Sequence, residues 1–109
     1  MLTKDISDRI SQCLVHTIRP EKIYVFGSYA TGLANHDSDI DIMAIVNDRQ
    51  TADRALSVKC RVALRKALKG LDLAFDFIVE NQANFERYRI LNGTIQSAVD
   101  QTGIVIYEH

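Results

Sequence analysis

One segment, Asp39–Val46, constrains the fold of this chain more than any other. Its sequence, DIDIMAIV, begins with strict alternation of aspartate and isoleucine and then becomes entirely apolar. Alternation is typical of a strand with one wet face, and a continuous apolar run is typical of a strand covered on both faces. The segment therefore predicts a central strand that emerges at a wet edge of a sheet, with Asp39 and Asp41 on the same face.

Shorter patterns on both sides of this strand predict a mixed order of helices and strands. Apolar residues at three- and four-residue steps predict helices at about residues 3–18, 51–69, 85–89 and 94–99. Apolar runs predict further strands at Ile23–Phe26, Leu71–Ile78 and Ile104–Tyr107. Gly70 stands where a glycine commonly ends a helix. The expected fold is α/β, in the order α-β-β-α-β-α-α-β, with a small mixed sheet of about four strands flanked by helices.

Length and composition limit the classes of protein to which the chain can belong. It has 109 residues, 47% of them hydrophobic, which predicts one globular domain over residues 1–109. The net charge of -1 provides no general field for phosphates, so we expect no direct nucleic-acid binding. No apolar run reaches the roughly 20 residues of a membrane helix, and none resembles a signal peptide. We therefore expect no membrane partner. Cys13 and Cys60 lie far apart with no CxxC or Cys/His pairing, so we expect a cytoplasmic protein with reduced thiols.

The candidate site combines a glycine-serine turn with paired carboxylates. Gly27 and Ser28 follow the first strand, and glycine allows backbone N–H groups to approach an anion such as phosphate closely. After ten intervening residues come the two aspartates of the central strand, whose Cα atoms lie roughly 6 to 7 Å apart. A hard divalent cation such as Mg²⁺ would neutralise this pair. Asp76 on a later strand supplies a third carboxylate, which favours a two-metal site, and Asp72 lies on the same predicted face.

The same acids also have simpler interpretations. Asp37–Asp41 begins like a calcium-binding EF-hand loop, but Ile42 replaces the required glycine and the twelfth position is Asp48. The acids could otherwise be those of a solvated strand edge, and alternating acids such as Asp76 are ordinary on a half-exposed strand. The Gly27-Ser28 turn at this spacing favours a site for a metal-bound nucleotide over a calcium loop and over a solvated strand edge.

This order of motifs resembles that of the minimal nucleotidyltransferases of the DNA polymerase β superfamily. The resemblance runs from about Ile23 to the C-terminus and implies the polymerase β-like nucleotidyltransferase fold. It also implies two Mg²⁺ ions and ATP as the donor substrate. The resemblance implies that Gly27 and Ser28 contact the nucleotide phosphates and that Asp39 and Asp41 bind both metals. It implies that Asp76 completes the shell of one metal and acts as the base. Asp72 is the alternative to Asp76 for that role.

The resemblance also suggests a partner. Small proteins of this kind are similar to antitoxins whose toxin is a HEPN-domain ribonuclease, so the implied reaction is adenylylation of a HEPN-type toxin. The alternative is an antitoxin of the same fold that neutralises its partner by contact, with weak or no transfer. A homo- or hetero-oligomer is compatible with either interpretation. Many relatives carry an arginine shortly after the glycine-serine pair, where this chain has Tyr29, and this removes one cation from the expected phosphate site.

One segment concentrates positive charge. Residues 49–69 contain seven Lys and Arg residues and one acid, Asp53, so they carry a net charge of +6 and the remainder carries -7. This asymmetry is typical of a partner-binding surface, but a solvated helix face opposite an apolar stripe has the same pattern.

Overall fold

The structure is a computed structural model that describes residues 2–109. In that part of the chain the helices are α1 (Lys4–Ile18), α2 (Ser28–Thr31), α3 (Arg54–Ala67), α4 (Gln82–Tyr88) and α5 (Ile95–Thr102). The strands are β1 (Lys22–Phe26), β2 (Ile40–Val46), β3 (Phe75–Asn81) and β4 (Ile104–Glu108). Apart from the short α2, this is the predicted order. Within residues 2–109, no helix combines the length and apolar character needed to cross a membrane.

The four strands form one mixed sheet in the order β3-β2-β1-β4. Strand β1 is antiparallel to both β2 and β4, whereas β2 and β3 are parallel. The apolar segment predicted to be central, β2, lies between two other strands and is buried from Ile42 to Val46. The prediction of a small four-stranded mixed sheet flanked by helices is therefore confirmed.

The β2 side chains alternate between the two faces of the sheet, and helices cover both faces. Ile40, Ile42 and Ala44 belong to a core cluster that includes buried residues of α1 and α3. Met43 and Ile45 belong to a second, smaller cluster that includes residues of α4 and α5. By the same alternation, the Asp41 side chain points to the face of Met43 and Ile45. It lies beyond the part of that face that the smaller cluster covers. The fold thus leaves a polar end on the α4/α5 face.

The segment between α3 and β3 differs from the prediction. Strand β3 begins at Phe75 instead of Leu71, because the chain first turns after α3. Gly70 has the positive φ of a helix-ending glycine, 89°, but it lies two residues beyond the C-cap Leu68. The N–H of Leu71 donates to the carbonyl of Leu68 at 3.2 Å and closes this turn. The alternating pattern of residues 71–74 therefore belongs to a turn and a connection.

Candidate active site

The candidate site lies at one edge of the sheet, where β1 ends and β2 and β3 begin. In the register of the sheet, Phe26 is the Cα partner of Asp41, and Asp41 is the Cα partner of Asp76. Directly opposed residues of neighbouring strands present their side chains on the same face. Asp41 is therefore placed between the Gly27 turn on one side and Asp76 on the other. The sequence could place each motif on a strand, and the strand order brings the three together.

Asp41 is the electrostatic centre of the three acids. Its pKa is raised above the usual value for aspartate, firstly because partial burial disfavours the charged form and secondly because Asp76 and Asp39 add negative charge nearby. Asp39 is exposed and stands one residue before β2 begins, so the prediction that it lies within the strand is off by one position. The aspartates are nevertheless close enough to repel one another, and a bound cation would relieve this repulsion.

The loop before Asp39 is held by an asparagine that the sequence patterns did not single out. The Asp37 N–H donates to Asn35 Oδ1 at 2.9 Å, and the Asn35 N–H donates to Ser38 Oγ at 3.0 Å. The backbone N–H of Ser38 also donates to the carbonyl of Asn35 at 3.0 Å. An asparagine whose side chain accepts from the backbone two residues on forms an Asx turn. This turn directs the chain into Asp39 and the start of β2.

Gly27 is required by its conformation and by its contact with Asp41. Its φ of 70° and ψ of -149° lie in a region that is essentially restricted to glycine. A Cβ atom at this position would lie 2.2 Å from Oδ2 of Asp41, well inside van der Waals contact. The absence of a side chain therefore lets the Asp41 carboxylate rest directly against the end of β1. Sequence reasoning predicted Gly27 as a phosphate ligand but missed this packing against the metal-ligand candidate.

Ser28 and Tyr29 follow Gly27 as the first two residues of α2. The carbonyl of Gly27 accepts hydrogen bonds from the N–H groups of Ala30 at 3.0 Å and Thr31 at 3.2 Å. The N–H groups of Ser28 and Tyr29 have no acceptor within α2, as is usual in a first turn. The Tyr29 side chain packs against the α1/α3 core cluster, so it is used for packing and supplies no cation here. Ser28 thus follows directly on Gly27, the residue against which Asp41 lies, and its role at the phosphates stays a prediction.

The structure does not place Asp72 with the other acids. Asp72 lies in the turn before β3, is exposed and has a positive φ of 48°. The prediction that Asp72 shares a strand face with Asp76 is therefore wrong, because the strand begins only at Phe75. Asp76 is the acid in register with Asp41, which favours it over Asp72 as the third carboxylate.

The donor set fits a metal that is shared with a substrate. Within residues 2–109, no three His, Cys, Asp or Glu side chains are grouped closely enough to hold an ion by themselves. Mg²⁺ usually takes only one or two protein carboxylates and completes its shell with water and substrate phosphates. Asp41 and Asp76 in register, with Asp39 raising the negative charge, meet that requirement.

The repulsion at Asp41 leads to a prediction for stability. The pKa of Asp41 is higher in the folded state than its ordinary value of 3.8, so the protonated side chain favours folding. This contribution to stability is complete below pH 3.8 and is lost as the pH rises through the folded-state pKa. Asp41→Asn is therefore expected to raise the Tm at pH 7 by a small amount, on the order of 2 °C. Thermal unfolding should show the difference from the wild type shrinking towards pH 3.8 and below. A lower Tm for the variant at pH 7 would contradict this account of the site.

Comparison with known proteins identifies the family and the fold. The family "Polymerase beta, Nucleotidyltransferase" matches residues 8–109. Among curated proteins no significant match to the chain was found. Solved structures share the fold. A toxin–antitoxin structure with AMP-PNP is 23% identical with a TM-score of 0.67, and the match covers 94% of this chain and 73% of that one.

Two further structures extend the comparison. A toxin–antitoxin structure, MntA–HpeT, with two aspartates changed to glutamate is 21% identical with a TM-score of 0.64, covering 94% of this chain and 73% of the other. A candidate nucleotidyltransferase from Sulfolobus solfataricus is 17% identical with a TM-score of 0.60, covering 97% and 79%. Since the family match spans nearly the whole sequence, the chain belongs to the polymerase β nucleotidyltransferase family.

Proposed function

We propose that this protein is a Mg²⁺-dependent nucleotidyltransferase that transfers AMP from ATP to a hydroxyl group of a partner protein. The observation that carries the proposal is the position of Asp41, which lies against Gly27 and in register with Asp76. A phosphate turn, a metal-ligand candidate and a candidate base thus occupy one sheet edge. The partner in this proposal is a HEPN-type toxin, and its modification makes the chain an antitoxin.

The reaction is an in-line displacement at the α-phosphorus of ATP. The acceptor oxygen forms a bond to this phosphorus, and the bond from phosphorus to the oxygen that bridges to the β-phosphate breaks, so pyrophosphate leaves. The acceptor hydroxyl loses its proton, for which Asp76 is the acceptor. Asp76 is exposed, so its carboxylate can pass that proton on to solvent. The products are the AMP-modified partner and pyrophosphate.

The remaining residues bind and orient the substrate. Gly27 and Ser28 offer backbone N–H groups to the phosphates, and Gly27 has no side chain that would block their approach. Asp39 and Asp41, with Asp76 beside them, are the residues that would hold Mg²⁺. When bound, the metal stabilises negative charge on the attacking and leaving oxygens. Asp41 would also limit where the triphosphate can lie, because it lies directly against Gly27.

Two similar structures support the partner and the donor in this proposal. Both are toxin–antitoxin structures, and one of them includes AMP-PNP, an analogue of ATP. They share the fold of this chain over 94% of its length. The proposed acceptor, a toxin, and the proposed donor, ATP, are therefore consistent with the molecules present in these two structures.

The test is transfer of label from ATP to protein. The purified chain is incubated with ATP labelled at the α-phosphate, Mg²⁺ and a lysate of cells that make this protein, and the modified protein is identified by mass spectrometry. We expect a protein whose mass increases by one or more AMP units, and no labelling when EDTA removes Mg²⁺. Tight binding of a partner without any labelling would refute transfer and favour an antitoxin that acts by contact.

Asp76 and Asp72 provide a matched pair for the role of base. Asp76→Asn is expected to reduce transfer about 100-fold, since a positioned general base commonly contributes at least that factor. Asp72→Asn removes the same charge from the neighbouring turn and is expected to leave transfer within about twofold, because Asp72 lies outside the site. Initial rates of labelling check both variants. Equal losses would show that only net negative charge near β3 matters.

A further inference from the structure

The solvent-facing side of α3 carries positive charge, most of which forms no ion pair or hydrogen bond within the described part of the fold. We call this surface the basic face; it consists of Arg54, Val58, Lys59, Arg61, Val62, Arg65 and Lys66. Helix α3 contains no acidic residue, and none of the ion pairs formed within residues 2–109 involves it. In α1, by contrast, Lys4 and Arg9 both pair with aspartates one turn away. Four exposed cations are thus available to a negatively charged partner, namely Arg54, Lys59, Arg65 and Lys66.

Two apolar side chains lie in the middle of the basic face. Val58 and Val62 are one helical turn apart and keep 48% and 43% of their surface exposed. At about 100° per residue, the three arginines fall on one side of these valines and the two lysines on the other. An apolar centre surrounded by charge is the arrangement of a protein–protein interface. A nucleic-acid backbone would pair with the cations but would leave the valines without an apolar partner.

The arginine side of the basic face reaches the outer edge of β3. Arg61 donates hydrogen bonds to Ser57 Oγ and to the carbonyl of Phe77. Arg61 and Arg65 also line a cleft of about 260 Å³ whose other wall is Leu73, Ala74 and Phe75. The next residue is the candidate base, Asp76. The side chain of Asp76 points to the opposite face of β3 from that cleft, so the basic face and the acids lie on the two sides of the same outer strand.

The strand order defines the side from which an acceptor arrives. Gly27 follows β1, and β3 lies beyond β2 on the other side of Asp41. A triphosphate bound at the Gly27 turn would therefore keep the β3 side of Asp41 open for the acceptor. That side is bordered by Arg61 and Arg65. An acceptor that enters over the outer edge of β3 meets the basic face and Asp76 together.

We propose that the basic face docks the acceptor protein through an acidic surface, with two apolar side chains of the acceptor packed on Val58 and Val62. This proposal rests on the proposed function, since it assigns the acceptor side of the same site. The matching surface is a helix that carries two apolar residues one turn apart among glutamates or aspartates. Docking there delivers the acceptor hydroxyl to Asp76 across β3.

Three defined probes test the chemistry of the surface with the full chain, Mg²⁺ and AMP-PNP present. The first is a fluorescent helical peptide of about 20 residues with two leucines one turn apart among glutamates. The second has glutamines in place of the leucines, and the third is a single-stranded RNA of equal charge. Fluorescence anisotropy is expected to show that the leucine peptide binds at least about tenfold more tightly than either.

Variants of the basic face separate its two components. Val58→Ser/Val62→Ser is expected to make the leucine peptide bind no more tightly than the glutamine peptide. Arg65→Glu/Lys66→Glu is expected to weaken binding of the leucine peptide about tenfold. Lys4→Glu/Arg87→Glu makes the same change in net charge outside α3 and is expected to have less than about a twofold effect. In the lysate assay, the α3 charge variant should lose labelling while binding Mg²⁺ and AMP-PNP as the wild type does.

The results distinguish this proposal from the proposed function. If Mg²⁺ and AMP-PNP bind but the three probes bind equally or not at all, the docking surface is refuted and nucleotide transfer is not. If the RNA binds most tightly and the valine changes have no effect, the basic face binds nucleic acid, and the proposal is again overturned. Failure of the wild type to bind Mg²⁺ and AMP-PNP would instead refute the proposed function.

Discussion

Replacing Gly27 with alanine is expected to reduce AMP transfer by about 100-fold to 1,000-fold, a loss comparable to removal of a key electrostatic group from an active site. The new Cβ would lie 2.2 Å from Oδ2 of Asp41, so the carboxylate must move away from the end of β1. Alanine also disfavours the φ of 70° and ψ of -149°, at a cost of about 1 to 3 kcal/mol. The substitution therefore displaces a metal-ligand candidate and distorts the phosphate turn together.

Gly32→Ala is the control for the cost of backbone conformation. Gly32 also has a positive φ, 79°, and ends the same short helix, but a Cβ there would meet nothing within 4 Å. We expect Gly32→Ala to lower stability by about 1 to 2 kcal/mol and to leave transfer nearly unchanged. Initial rates, with Tm measured on the same samples, check the pair. If both variants lose transfer equally, strain in the α2 segment explains the effect, and the Gly27–Asp41 contact does not.

The contact that motivates this experiment illustrates what a sequence pattern can and cannot predict. The pattern of Asp39–Val46 predicted a central strand, and β2 is central, because burial on both faces leaves a continuous apolar run. The contact between Gly27 and Asp41 joins residues from different strands. It depends on the register of β1 against β2, which local periodicity does not specify.

The two acids near β3 show the same limit. Alternation across residues 71–78 predicted one strand with Asp72 and Asp76 on a shared face. Periodicity records which positions are apolar, but it does not mark where the turn after α3 ends. Gly70 and Asp72 have positive φ values, and β3 begins only at Phe75, so only Asp76 of the two acids lies on the strand. The turn at Asn35 was likewise missed, although asparagine in a polar segment between two apolar runs is a recognisable turn signal.

Replacing both aspartates of the Asp-x-Asp motif is expected to abolish AMP transfer, with a loss of at least about 1,000-fold. Asp39→Asn/Asp41→Asn keeps the size of both side chains but removes the charge that would hold Mg²⁺. It also removes the partly buried charge of Asp41, whose pKa is raised firstly by burial and secondly by the neighbouring acids, so the variant is expected to fold at least as stably as the wild type. Loss of transfer in a stable protein would then be a loss of chemistry.

The same double variant decides between transfer and contact as the means by which this chain would neutralise the proposed toxin partner. Its control is Asp37→Asn/Asp48→Asn, which removes two exposed acids that lie outside the site. Toxin activity, labelling of the toxin and binding of the toxin are measured for each variant. If transfer is the mechanism, the double variant binds the toxin without labelling it and the toxin stays active, whereas the control neutralises it. Neutralisation by both variants would show that this polymerase β fold acts as an antitoxin by contact alone.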